Sequence, residues 1–240
     1  MKWMWLFCLL AYNLPASAQS LRIGFGTHKP PYIFENQPRG LEYDIVMAAV
    51  QRGGLEPEAH YAPMERLNRM LSKGQIDVMA TTNELSGGAI FYSEAYIRYQ
   101  NVAVALRSRK LNIQRISDLV GYSVNAFQRA RFLLGSEYQA MAEANPLYRE
   151  EAFQIARNRM LFSGRVDVVV TDMRILRYFN HEVRGQVDVT QALSIYPIFA
   201  PTDYKLGCQQ QAHCERFNQG LALLKQSGEY AEIERRYAMY

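Results

Sequence analysis

Short apolar runs alternate along the chain with segments whose apolar residues recur every three or four positions. Residues 21–25, Leu-Arg-Ile-Gly-Phe, read as a first strand, and Pro30-Pro31 ends it. Gly40 precedes a predicted helix over 43–51, with Val46, Ala49 and Val50 on one face and Gly53-Gly54 as its stop. A second helix is predicted over 63–72. Pro63 suits its first turn, and Met64, Leu67 and Leu71 form its apolar stripe. Lys73-Gly74 then turns into a buried strand over 76–80. Strands are predicted again at 101–106, 123–127 and 166–170, with a turn at Ser117-Asp118-Leu119. A helix-rich stretch covers 130–144, and a further helix covers 149–162. Phe217, Leu221 and Leu224, then Tyr230, Ile233 and Tyr237, mark two closing helices. This alternation predicts an α/β architecture.

One segment is echoed later in the chain. Leu71-Ser72-Lys73-Gly74-Gln75-Ile76-Asp77-Val78 resembles Leu161-Phe162-Ser163-Gly164-Arg165-Val166-Asp167-Val168. Each is a helix end, a glycine turn, and an aspartate at the entry to a buried strand. The echo is read as two similar α/β lobes, with Asp167 as a structural turn residue.

The first eighteen residues follow a different rule. Lys2 begins a short positive region, residues 3–10 are apolar, Pro15 breaks any helix, and Ala16-Ser17-Ala18 is a small-x-small cleavage site. This is the layout of a secretory signal peptide. The run is shorter than the ~20 residues a membrane-spanning helix needs. The mature chain is therefore expected to begin at residue 19, in an oxidising compartment.

Export changes the cysteine arithmetic. Of three cysteines, Cys8 leaves with the signal, and Cys208 and Cys214 are expected to pair. His213 beside Cys214 raises the alternative of a metal, but no fourth ligand or short C-x2-C spacing accompanies it. No metal and no cofactor are expected. The 240 residues are 49% hydrophobic and 21% charged, which excludes a disordered or disulfide-dense chain. A net charge of +4 with interspersed acids gives no basis for a nucleic-acid partner.

Taken in order, the motifs resemble the bacterial extracellular solute-binding proteins of family 3, the polar amino-acid binders of ABC importers. Arg22-Ile23-Gly24 with Lys29-Pro30-Pro31-Tyr32 is similar to the family's first strand and proline-aromatic loop. Gly40-Leu41-Glu42-Tyr43-Asp44-Ile45 resembles its G-[FY]-D-[IV] signature with two residues inserted after the glycine. Tyr92-Ser93-Glu94-Ala95-Tyr96 is similar to F-S-x-P-Y without its proline, and Asp118-Leu119-Val120-Gly121 to D-L-x-G. Gly164 to Asp172 is the nearest match, and Gly228-Glu229-Tyr230 with Ile233 resembles the terminal G-x-Y-x-x-I helix.

The resemblance implies a type II periplasmic-binding-protein clamshell, each lobe a mixed sheet flanked by helices. The expected division is a signal peptide at 1–18, a first lobe at 19–104 completed by 199–240, and a second lobe at 105–198. Crossing strands are expected near 102–106 and 196–200. It further implies a periplasmic monomer with no span in the mature chain, a small-molecule ligand, and an inner-membrane ABC permease as partner.

Site residues follow from the same resemblance. Asp172, at the C-terminal edge of its strand, matches the family's ammonium-binding aspartate; its alternative role is a helix N-cap. Thr81 and Thr82 match small hydroxyl residues that touch ligand, and Tyr32 and Phe34 occupy the early aromatic loop. The arginine that usually grips the ligand's α-carboxylate is missing, since no Lys, Arg or His lies between Lys73 and Arg98. Either Arg66, Arg129 or Arg131 supplies the charge, or the ligand lacks an α-carboxylate and Glu84 with Asp172 favours a cationic or neutral solute. An importer subunit is expected, with an orphan periplasmic sensor as the alternative. A dehydratase-like enzyme on the same scaffold would need an acid or base such as Glu84 or His28, and no nucleophile–base motif is present.

Overall fold

The computed structural model describes residues 20–240 apart from Asn36 and Ile90; the expected signal peptide at 1–18 lies outside the described residues. In chain order the elements are β1 (Ser20–Phe25), α1 (Leu41–Arg52), β2 (Glu56–Tyr61), α2 (Met64–Ser72) and β3 (Val78–Thr82). β4 (Phe91–Tyr92), β5 (Ile97–Tyr99), β6 (Asn101–Leu106) and β7 (Val124–Phe127) follow. Then come α3 (Ala130–Leu133), α4 (Ser136–Ala144), β8 (Tyr148–Glu151), α5 (Gln154–Phe162), β9 (Val168–Asp172) and α6 (Met173–Val183). The chain closes with β10 (Leu193–Tyr196), β11 (Thr202–Cys208), α7 (Gln211–Gln226) and α8 (Glu229–Arg236).

Two mixed sheets organise these elements. The first runs β2-β1-β3-β11-β4, with β5 paired to β11; the second runs β10-β6-β9-β7-β8. The chain passes from one sheet to the other at Gln100, between β5 and β6, and returns through 197–201, between β10 and β11. The first passage lies just before the strand expected to cross at 102–106, because β6 already belongs to the second sheet, where it pairs with β10, and the second overlaps the expected 196–200.

The repeated aspartate does the same job in each sheet. Asp77 accepts from the Arg22 main-chain N–H at 2.8 Å and tethers the entry of β3 to β1. Asp167 accepts from the Ser123 N–H at 3.0 Å and tethers the entry of β9 to the start of β7. A short carboxylate is suited to this because it can satisfy a main-chain donor at a strand end without lengthening the turn.

Among the strands that were not predicted, β2 and β8 were missed for a local reason. β2 is Glu-Pro-Glu-Ala-His-Tyr, an edge strand with no apolar alternation, and Pro57 is tolerated there because an edge leaves some N–H positions unpaired. β8 is also an edge and polar, Tyr-Arg-Glu-Glu, so the predicted helix over 149–162 begins only at Gln154. The strand predicted at 76–80 sits two residues later, at Val78–Thr82.

Gly40 is the N-cap of α1 with φ 138°. A Cβ there would lie 2.2 Å from the Tyr32 carbonyl oxygen, so only glycine fits. The proline-aromatic loop can then cover the helix start: Leu41 N–H donates to Pro31 O at 2.9 Å and Glu42 N–H to Tyr32 O at 3.1 Å. The helix begins at Leu41 directly, so the two residues after Gly40 are its first turn rather than an insertion ahead of it.

α7 packs against α1 at very short range. A Cβ on Gly220 would fall 1.8 Å from the Ala49 carbonyl. Cys208, at the end of β11, and Cys214, in α7, form a disulfide buried beneath this pair. Among the described residues no helix is long and apolar enough to cross a membrane. The disulfide closes a small loop, so replacing both cysteines with alanine is expected to lower stability by about 2 kcal/mol in urea unfolding. An unchanged midpoint would show that packing alone holds the α7 entry.

Candidate functional site

A cavity of ≈ 50 Å³ lies between the two sheets. That is room for a few groups of water size, each needing about 10–15 Å³. Gly26, Lys29, Thr81, Tyr99 and Tyr204 approach from the first sheet and its loops, and Asn101, Phe127, Gln154, Arg157 and Asp172 from the second. It sits at the ends of β3 and β9, where open α/β sheets hold their ligands.

The first wall is built on a buried ion pair. Glu42 has 0% exposure, and Lys29 reaches it at 2.8 Å. Thr81 Oγ donates to Glu42 Oε1 at 2.5 Å and accepts from Lys29 Nζ at 2.6 Å. Tyr96 donates to Oε1 at 2.5 Å, and Tyr99 to Oε2 at 2.7 Å. Four donors therefore fill the four lone-pair positions of the carboxylate. Burial alone would raise the Glu42 carboxyl, but the Lys29 charge and these donors together hold it below its ordinary value.

Thr81 stands in the left-handed region, φ 55°, which a β-branched residue rarely adopts. It is held there from both ends. Its main-chain N–H donates to the Tyr96 hydroxyl at 2.8 Å, and its own hydroxyl is fixed between Lys29 and Glu42. Strain of this kind persists only where surrounding contacts over-determine it, and it gathers at binding sites.

On the second wall, Asp172 ends β9 and caps α6. Its Oδ1 accepts from Arg174 N–H at 2.8 Å and Ile175 N–H at 3.3 Å. Oδ2 accepts from Gln100 N–H at 3.1 Å, at the point where the chain changes sheets. Tyr32 approaches from the first lobe and stacks on Tyr99 at 3.8 Å. Burial raises the Asp172 carboxyl, and the three main-chain donors oppose the shift. Asp172 thus takes the helix-cap role, and its residue also lines the cavity.

Arg157, on α5, is the residue that sequence reasoning missed. It is 1% exposed and lines the cavity, and its Nε and Nη1 have no hydrogen-bond partner among the described residues. Burial lowers it to about 10, and the more distant Glu151 opposes only part of that shift. Its sequence signal is its position: Arg157 lies four residues before Leu161, on the buried face of its helix. Glu42 shows the same signal, three and four residues before Ile45 and Val46.

The other residues named from sequence lie elsewhere. Arg129 leaves the cavity and joins the lobes, bonding Glu65 at 3.0 Å and the Ser86 carbonyl. Arg131 turns to Glu150 at 3.2 Å within its own lobe. Arg66 is exposed on α2, and Glu84 pairs with Lys205 on the surface side of β11. Thr82 is buried against the Ser86 hydroxyl, and Phe34 packs edge-on to Tyr178 at 5.9 Å.

Residues 21–239 match the family described as bacterial extracellular solute-binding proteins, family 3. No curated protein matches the chain by sequence. A solved histidine kinase sensor domain with similarity to periplasmic binding proteins shares 21% identity at TM-score 0.77, over 92% of this chain and 96% of that one. An ancestral arginine-binding protein bound to arginine shares 21% at TM-score 0.74, over 91% and 97%. An ancestral amino acid-binding protein described as a precursor of cyclohexadienyl dehydratase shares 17% at TM-score 0.69, over 91% and 95%. At these identities the likeness is one of fold.

Removing one member of the buried pair should be costly. Lys29→Met is expected to destabilise by about 3–5 kcal/mol, because it leaves the Glu42 charge buried without a counter-ion. Adding Glu42→Gln should recover much of that loss. Urea unfolding of the three proteins measures this, and a Lys29→Met variant as stable as the parent would contradict it.

Proposed function

Since the chain belongs to the bacterial extracellular solute-binding proteins of family 3, we propose that it captures a small, polar, amino-acid-like solute in the cavity between its sheets. The observation that carries this reading is the cavity itself. Strand-end polar groups from both sheets, Thr81 and Asp172 among them, line one small, partly open cavity. A solute there touches both lobes at once, so its binding favours their closure. Asp172 presents a fixed negative charge to the solute, and Thr81 contributes from the opposite wall.

The residues considered for acid–base work support binding rather than catalysis. His28 sits between Phe34 and Phe179, at 6.1 and 5.9 Å, and does not line the cavity. Glu84 is held by Lys205. The chain acts in the periplasm after signal removal, as a monomer, and hands its solute to an inner-membrane ABC permease. Delivery of a signal rather than a solute is the second reading. It is favoured by the sensor-domain neighbour, whose fold covers 92% of this chain.

Isothermal titration against a panel of amino acids and related small solutes tests the common part of both readings. At least one is expected to bind one-to-one, raise Tm and be recovered chemically unchanged. Conversion of the solute during incubation would instead place the chain among enzymes.

A further inference from the structure

The charges around the cavity are not equally available to a ligand. Glu42 has all four acceptor positions filled, and Lys29 is spent on Glu42 and Thr81. The Asp172 oxygens already receive three main-chain donors. Arg157, by contrast, keeps two buried donor nitrogens, Nε and Nη1, with no partner among the described residues. A buried guanidinium with no counter-ion costs several kcal/mol, and an anion brought against it recovers that cost. The planar fork suits a carboxylate, which can accept two parallel N–H bonds.

Gln154 stands three residues before Arg157 on α5, so the two share a face of the helix. It also lines the cavity, and its Oε1 accepts no hydrogen bond. One turn of helix thus offers an anion anchor and, beside it, an acceptor. The remaining lining is largely apolar: Met64, Tyr99, Phe127, Leu133, Ile175 and Tyr204.

We infer that Arg157 anchors the carboxylate of the solute and Gln154 receives a hydrogen-bond donor beside it, so that the ligand is a small monocarboxylate carrying an α-hydroxyl or α-amino group and a compact apolar body. This rests on the reading of the chain as a solute-binding protein. The carboxylate is the required group. The ammonium of an amino acid is dispensable, because Gln154 takes a hydroxyl as well.

Titration of the purified protein with two matched sets tests this: L-alanine, L-lactate and L-alaninol, then L-valine, 2-hydroxyisovalerate and L-valinol. The amino acid and hydroxy acid of at least one set should bind within about tenfold of each other. The alcohol, which lacks the carboxylate, should bind at least about thirtyfold more weakly, the smallest effect expected when a buried charge loses its partner. Arg157→Met should abolish binding of both acids while the Tm measured without any probe does not fall, since the substitution removes a buried uncompensated charge. Arg157→Lys should keep part of the affinity. Alcohols that bind as tightly as the acids would overturn the inference and leave the solute-binding reading standing. So would an Arg157→Met variant that binds normally or melts earlier than the parent. If none of the six probes binds, the inference falls; if the wider solute panel is also silent, both fall together.

Discussion

A carboxylate shut off from water must be neutralised and hydrogen-bonded by the fold itself, and Glu42 places that demand in the first turn of α1. Meeting it draws together parts of the chain that are far apart in sequence. Lys29 comes from the proline loop, Thr81 from the end of β3, Tyr96 from the start of the return toward the second sheet, and Tyr99 from β5. The demand then propagates. Tyr99 stacks on Tyr32, Tyr32 lies against Asp172, and Asp172 holds the main chain at Gln100, where one sheet gives way to the other. A run of hydrogen-bonded and stacked side chains thus reaches from the helix start of one lobe toward the helix cap of the other.

Two further sets of contacts hold the lobes together around that floor. On one flank Arg129 reaches Glu65 and the Ser86 carbonyl, and Asn83 donates to the Leu133 carbonyl at 3.3 Å. On the other, His28 and Phe34 meet Tyr178 and Phe179 of α6 edge-on. Arg129, like Thr81, has positive φ, here 68°. Two of the three non-glycine residues with positive φ among the described residues, Thr81 and Arg129, therefore stand at the junction of the lobes, where contacts from both sides can hold them.

Periodicity and turn chemistry made much of this fold legible. The helices over 41–52, 64–72 and 211–236 announce themselves by apolar stripes and glycine stops, and the paired glycine–aspartate turns mark both sheets. The polar edge strands β2 and β8 did not, because an edge needs only one partner and little apolar alternation. The site was less legible than the fold. Asp172 and Thr81 sit at strand ends, where a pattern can place them, and both reach the cavity. Arg129 and Arg131 lie in the right loop, yet their partners, Glu65 and Glu150, are far from them in sequence and turn them elsewhere. Arg157 and Glu42 carried the opposite disguise. Each is a charge on the apolar face of an amphipathic helix, a place where pattern analysis looks for core and reads past the exception.

A crystal structure of the protein with the solute it retains through purification tests the central claim most directly. The account predicts that solute between the two sheets, in contact with Thr81 on one side and the Arg157 guanidinium on the other. A solute bound outside the cavity, or an Arg157 turned away to a carboxylate of the protein itself, would contradict it.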